Sequence, residues 1–150
     1  MWNSVLSGLI LVLGVFLISM RRRSPYTQAI KKVIEKTTYK QYLKFILAQA
    51  QLESNYGQSR LAKECKNLFG MKIPKKRSSF RIADPHKKCG DYSKFASFED
   101  SVRDFVLYLD YIKTPNNIVM VSQYGEFLKK HKYFTDPLYI EKLKKYYAKL

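Results

Sequence analysis

In the run Phe45-Ile-Leu-Ala-Gln-Ala-Gln-Leu-Glu53-Ser-Asn-Tyr-Gly57, one carboxylate sits among apolar residues at a spacing that suits an acid catalyst. Leu43, Ile46, Leu47 and Ala50 recur at helical spacing, and Glu53 falls on the face of Ile46 because successive helical side chains are separated by roughly 100°. A carboxyl half-buried beside apolar groups holds its proton more tightly than a surface one, as a general acid working near neutral pH requires. Gly57 is placed to end the helix, so the apolar stripe opens at Glu53 into a cleft. Taken locally, the pattern fits equally well a Glu that only pairs with a nearby Lys or Arg.

The surrounding words are more specific. Glu53-Ser-Asn-Tyr-Gly, then Ser59-Arg-Leu-Ala62, then Asn67-Leu-Phe-Gly-Met-Lys72 resemble the glucosaminidase family of peptidoglycan hydrolases, glycoside hydrolase family 73. Downstream, the segment from Tyr92 to Phe105 is similar to the family's succession of an aromatic, a short turn and a helix. Lys132-Tyr-Phe-Thr-Asp-Pro-Leu-Tyr-Ile-Glu-Lys-Leu143 is similar to its closing Tyr-x-Thr-Asp-Pro motif. The ordered matches cover most of residues 39 to 147. The resemblance implies a lysozyme-like fold and cleavage of β-1,4 glycosidic bonds in the cell-wall glycan, with Glu53 as proton donor.

Breaking such a bond needs protonation of the leaving oxygen and stabilisation of positive charge at the anomeric carbon, so these hydrolases usually supply two carboxyl groups. The resemblance implies that the second lies in a β lobe, where this chain offers Asp84 and Asp91. Asp84, after the extended Phe80-Arg-Ile-Ala segment, is the preferred candidate, although an Asp before Pro85 also suits a plain turn. An N-acetyl group of the substrate can act as nucleophile instead, leaving the second carboxylate to orient it. Tyr133 matches the Tyr of the closing motif and is the third catalytic candidate. Tyr56, Phe69 and Tyr92 are candidates for sugar contacts. Asn67 joins them as a substrate-side candidate, with Gly70, in the turn that lines the groove. Asp136 is explained by helix capping.

No metal or other cofactor is expected, since His86 and His131 lack partners at ligand spacing and Cys65 with Cys89 makes no zinc pattern. The two cysteines can form a disulfide tying the β lobe to the helical one in an oxidising space, and stay reduced in the cytosol.

The elements that must position these groups read as mostly helical. Ser24 with Pro25 opens a helix running to about Lys36, and Thr37 or Thr38 caps the one bearing Glu53. Ser59 caps a short helix ending before Asn67. Residues 71 to 96, with Pro74, Pro85 and Gly90, suggest a β-hairpin or extended lobe. Ser97-x-x-Asp100 opens a helix with Val102, Phe105, Val106, Leu109 and Ile112 on one face, stopped at Thr114-Pro115. Another spans roughly Ile118 to Lys130, and Asp136-Pro137 starts the last, through Tyr146 and Tyr147. The fold class is therefore mainly α (α+β), a lysozyme-like helical lobe with a small β-hairpin lobe, preceded by one transmembrane helix.

That leading segment is a separate object. Val5 to Met20 are almost wholly apolar and, with Trp2 at the interface, make a helix of about 28 Å, close to a bilayer core. The division is thus a membrane anchor at 1–20 contacting lipid through residues 2–20, a basic linker at 21–25, and a catalytic domain at 26–150. A cleaved signal peptide fits less well, because no Lys or Arg precedes the apolar run. Arg21-Arg-Arg23 predicts a cytoplasmic catalytic domain by the positive-inside tendency, in conflict with a wall hydrolase outside the membrane. Two locations resolve the conflict: a virion internal membrane taken from the host, or a bacterial cell envelope where the orientation breaks the charge rule.

The formal charge of +16 over 150 residues suggests an acidic partner such as anionic wall polymer, lipid headgroups or nucleic acid. Lys75-Lys-Arg77 and Lys87-Lys88 concentrate it in the β lobe. The 12 Tyr and 9 Phe supply flat platforms for sugars as well as core. Three functions compete: a membrane-anchored endo-N-acetylglucosaminidase, in a phage virion or lysis setting or in a host envelope; a lytic transglycosylase using a single Glu; and a non-enzymatic, membrane-tethered basic module binding nucleic acid. The third is disfavoured because no predicted element interleaves basic and aromatic residues.

Overall fold

The computed structural model describes residues 24–150. The proposed span at residues 2–20 and the arginines at 21–23 lie outside the described residues, and within them no helix is long and apolar enough to cross a membrane.

Among the described residues six α-helices make the frame: α1 (Pro25–Ile34), α2 (Leu43–Ser54), α3 (Arg60–Cys65), α4 (Phe98–Tyr111), α5 (Val121–Lys130) and α6 (Tyr139–Tyr147). A short 3₁₀ turn, Lys40–Tyr42, leads into α2. Local sequence accounts for most boundaries. Pro25 occupies the first turn of α1, where its missing N–H costs nothing. The Ser59 and Ser97 hydroxyls accept the backbone N–H of Ala62 and Asp100, satisfying orphan donors at the starts of α3 and α4. Asn55 takes a left-handed conformation and closes α2 two residues ahead of Gly57.

The helix bearing Glu53 differs from an amphipathic surface helix. All residues from Phe45 to Gln51 are buried, so α2 is the central post of the domain, with α6 packed on one side and α1 on another. Its two glutamines are the polar residues buried there, and Gln49 Oε1 is matched by the Tyr124 hydroxyl at 2.6 Å. α1 also packs along α4, and α5 along α6. Around the post the aromatics form a continuous core, with Phe45 stacked between Tyr42 and Tyr124.

The β-hairpin expected across residues 71–96 does not form, and no strand is present among the described residues. Two isolated antiparallel bridges, Lys72 with Tyr92 and Ile82 with Lys94, are all that remains of it. Pro74 and Pro85 remove donors from any ladder. The stretch between the bridges is instead drawn onto α4, where the Asp104 carboxylate, fully buried, holds Arg77 through two N–H bonds, the Ser79 hydroxyl and the Phe80 backbone N–H. A disulfide between Cys65 and Cys89 ties the end of α3 to the far turn of this lobe.

Candidate active site

Glu53 lies in the last turn of α2, where the post meets an open cleft of about 930 Å³. One wall is the segment Met71–Arg77, the other the stretch His131–Asp136 leading into α6, and Phe69, Tyr108 and Tyr139 contribute the floor. The carboxylate is partly buried, and burial raises its pKa above the ordinary glutamate value. The Tyr139 hydroxyl donates to Glu53 Oε1 at 2.6 Å, which favours the charged form and acts against that shift.

The two carboxylate oxygens are therefore unlike. Oε1 is taken by Tyr139, whereas Oε2 has no hydrogen bond among the described residues and faces Gly70. Gly70 has φ +61°, and a Cβ built on it would stand 3.5 Å from Oε2. A glycine here gives the turn a left-handed backbone and keeps the acid's free oxygen uncovered.

Tyr139 is the functional residue that the sequence reading missed. It is buried, stacked face to face on Phe134 with centroids 3.9 Å apart, and edge-on to Tyr133. Burial first, then the neighbouring Tyr133 and Glu53, push its phenol well above the normal tyrosine range, so it stays a donor at any working pH. The one sequence signal for it was its place three residues after Asp136, whose backbone C=O and side chain start α6.

Tyr133 lines the same cleft, but its hydroxyl donates to the Phe69 carbonyl at 2.5 Å rather than to the acid. Burial is the main reason its pKa is raised, with the Glu53 charge second. Phe69 reaches the cleft with little exposed surface, because it stacks on Phe105 at 4.2 Å. Tyr92 lines the rim, half-buried.

Three expected site residues stand elsewhere. Asn67 is buried and acts as a clamp, donating to the Met71 and Ser93 carbonyls and accepting the Met71 N–H. It shapes the cleft turn from behind. Tyr56 packs on Tyr146 and lines a second pocket with Lys31, Lys40, Lys44 and Leu47. Asp84 is not among the residues lining the cleft: its Oδ2 accepts the Cys89 N–H at 2.7 Å and its Oδ1 lies 3.8 Å from the Lys94 ammonium. The Cys89 N–H above all holds Asp84 below the usual carboxylate range, as suits a fixed turn. Asp91 is exposed, and its backbone carbonyl accepts the Ile73 N–H. The carboxylate that does share the cleft with Glu53 is Asp136, bonded to Lys142 and the Leu138 N–H and held low chiefly by that lysine.

An acid whose pKa is raised by burial, in an open groove with aromatic walls and a fixed phenol behind it, suits proton donation to a glycosidic oxygen. No curated protein sequence matches the chain. A solved structure does: the catalytic domain of the autolysin Auto from Listeria monocytogenes, at 25% identity and a TM-score of 0.59, over 87% of this chain and 82% of that one. A family model described as glucosaminidase, mannosyl-glycoprotein endo-beta-N-acetylglucosaminidase, matches residues 24–150. With the whole described domain inside that match, the chain belongs to the glucosaminidase family of glycoside hydrolases.

Proposed function

We propose that the protein is a peptidoglycan hydrolase, an endo-N-acetylglucosaminidase that cleaves the β-1,4 bond on the N-acetylglucosaminyl side of the glycan strand. The observation that carries this is Glu53, its pKa raised by burial, with one oxygen tied to Tyr139 and the other open to the cleft. Because Tyr139 occupies Oε1, the acid's proton resides on Oε2, and from there it passes to the glycosidic oxygen as the bond to the anomeric carbon breaks.

Among the described residues the cleft offers no second carboxylate free of other bonds, since Asp136 is held by Lys142 and the Leu138 N–H. The positive charge at the anomeric carbon is therefore met by the substrate's own acetamido oxygen. Water then opens that cyclic intermediate, giving its proton to the Glu53 carboxylate and restoring the acid. Asp84 supports the lobe rather than the chemistry in this scheme.

The same shortage of a second acid favours one other reading, a lytic transglycosylase in which the muramyl hydroxyl attacks instead of water. The test is digestion of purified peptidoglycan by the full chain in non-ionic detergent, with mass spectrometry of the products. Reducing N-acetylglucosamine ends are expected, and anhydro-muramyl ends mark the transglycosylase. Undiminished digestion by a Glu53→Gln variant overturns both.

Residues 2–20 support a single-pass anchor, and Arg21 to Arg23 support a domain first exposed to the cytosol. We place the protein in a virion internal membrane or a bacterial cell envelope, with the domain held near the bilayer by the short linker. Protease accessibility in intact cells and particles distinguishes the two; release of the protein by salt alone would rule out an integral anchor.

A further inference from the structure

The charges lining the cleft are strongly one-sided. Lys72, Lys75, Lys76, Arg77, Lys132 and Lys142 face it, against Glu53 and Asp136. Two of the cations are spoken for: Arg77 is buried against Asp104, and Lys142 is paired with Asp136. Lys72, Lys75, Lys76 and Lys132 have no ion-pair partner among the described residues, and all four are exposed. Asp136 is already neutralised by Lys142, so Glu53 is the one carboxylate of the cleft left to set against these four lysines.

The lysine-bearing segment is also held in place. At its start the Ile73 N–H bonds to the Asp91 carbonyl, and at its end Asp104 grips Arg77, Ser79 and Phe80. Lys75 and Lys76 thus project from a backbone pinned on both sides. Unpaired like charges gathered on the two walls of a substrate groove repel one another unless the substrate brings the counter-charge. The N-acetylglucosamine units are neutral, and the lactyl carboxyl of each muramyl unit loses its charge where a stem peptide is amide-linked to it. The strand's anionic groups are the carboxylates of its stem peptides and, in some walls, phosphodiester polymer.

We propose that Lys72, Lys75, Lys76 and Lys132 make the cleft selective for glycan strands whose stem peptides carry free carboxylates. This rests on the peptidoglycan reading and adds the substrate class within it. The lysines act on binding, so the preference resides in KM, while Glu53 sets kcat.

The test uses the full chain in non-ionic detergent on three preparations of the same sacculi: untreated, stripped of phosphodiester polymer with hydrofluoric acid, and carboxyl-capped with carbodiimide and an amine. The expected result is unchanged cleavage after stripping and a KM raised about threefold to tenfold after capping, the size of a few exposed ion pairs. The preference should shrink as salt is raised. Lys75→Gln/Lys76→Gln should lose it with an unchanged melting temperature, and Lys36→Gln/Lys145→Gln, away from the cleft, should keep it. Equal cleavage of capped and untreated sacculi overturns the inference while leaving the hydrolase reading intact. Loss of activity on stripping alone overturns it in favour of the phosphate polymer. Failure to cleave untreated sacculi overturns the hydrolase reading itself, and the inference with it.

Discussion

The Tyr139 hydroxyl lies 2.6 Å from Glu53 Oε1, a bond that joins the first turn of α6 to the last turn of α2 across the floor of the cleft. It stabilises the carboxylate against the burial that disfavours it, and so sets where the acid loses its proton. Tyr139→Phe removes the donor and keeps the ring on Phe134. The Glu53 pKa should rise further, and the alkaline limb of the pH–rate profile should move to higher pH. A profile unchanged in that limb would disconnect Tyr139 from the acid.

Glu53→Gln should lower kcat by about 10²- to 10⁴-fold, the usual contribution of a positioned general acid. It should also alter stability in a pH-dependent way. The folded-state pKa of Glu53 lies above its unfolded value, so its contribution is fully present below the unfolded pKa and is lost as pH rises through the folded one. Above that window the amide variant, which need not bury a charge, should melt higher than the parent, and the difference should vanish in acid. Thermal melts at several pH values measure this.

Asp104→Ala leaves the Arg77 guanidinium, 8% exposed, without its partner. Breaking such a buried pair from one side should cost about 3–5 kcal/mol in urea denaturation. Hydrogen exchange across residues 72–80 should rise with it, since the same carboxylate anchors Ser79 and Phe80.

The Cys65–Cys89 bridge spans a sequence separation of 24, and replacing both by Ala should cost about 3 kcal/mol by the loop-closure argument. The loss should localise to the turn around Asp84 and Gly90. Asp84→Asn should likewise weaken that turn and leave kcat within about twofold, because the side chain holds a backbone N–H rather than a sugar.

Most of the helical frame was legible in the chain, and the reasons are local. Ser59 and Ser97 are cap residues whose function is complete within four positions, and Pro25 and Thr114-Pro115 mark a start and a stop by sterics alone. Glu53 stood out because it falls on the apolar face marked by Ile46 and Ala50. What stayed hidden depends on partners far along the chain. Tyr139 reads as one more aromatic in a helix until its hydroxyl is seen beside a residue 86 positions away. The alternation in Phe80-Arg-Ile-Ala suggested a strand, yet Asp104, 24 positions later, captures the Phe80 N–H that a ladder would have used. The stripe from Leu43 to Ala50 suggested one buried face, whereas α6 and α1 packing on two sides and Tyr124 meeting Gln49 bury every residue from Phe45 to Gln51.

The enclosure of α2 between Phe45 and Gln51 separates a rigid part of the site from an adjustable one. A helix buried on every side from Phe45 to Gln51 cannot tilt or slide without dragging its neighbours along, so the acid keeps its position when the cleft around it is altered. Lys75, Lys76 and Lys132, free at the rim, can be exchanged one at a time. Substitutions at the edge of the groove should therefore change what is bound around a stationary proton source.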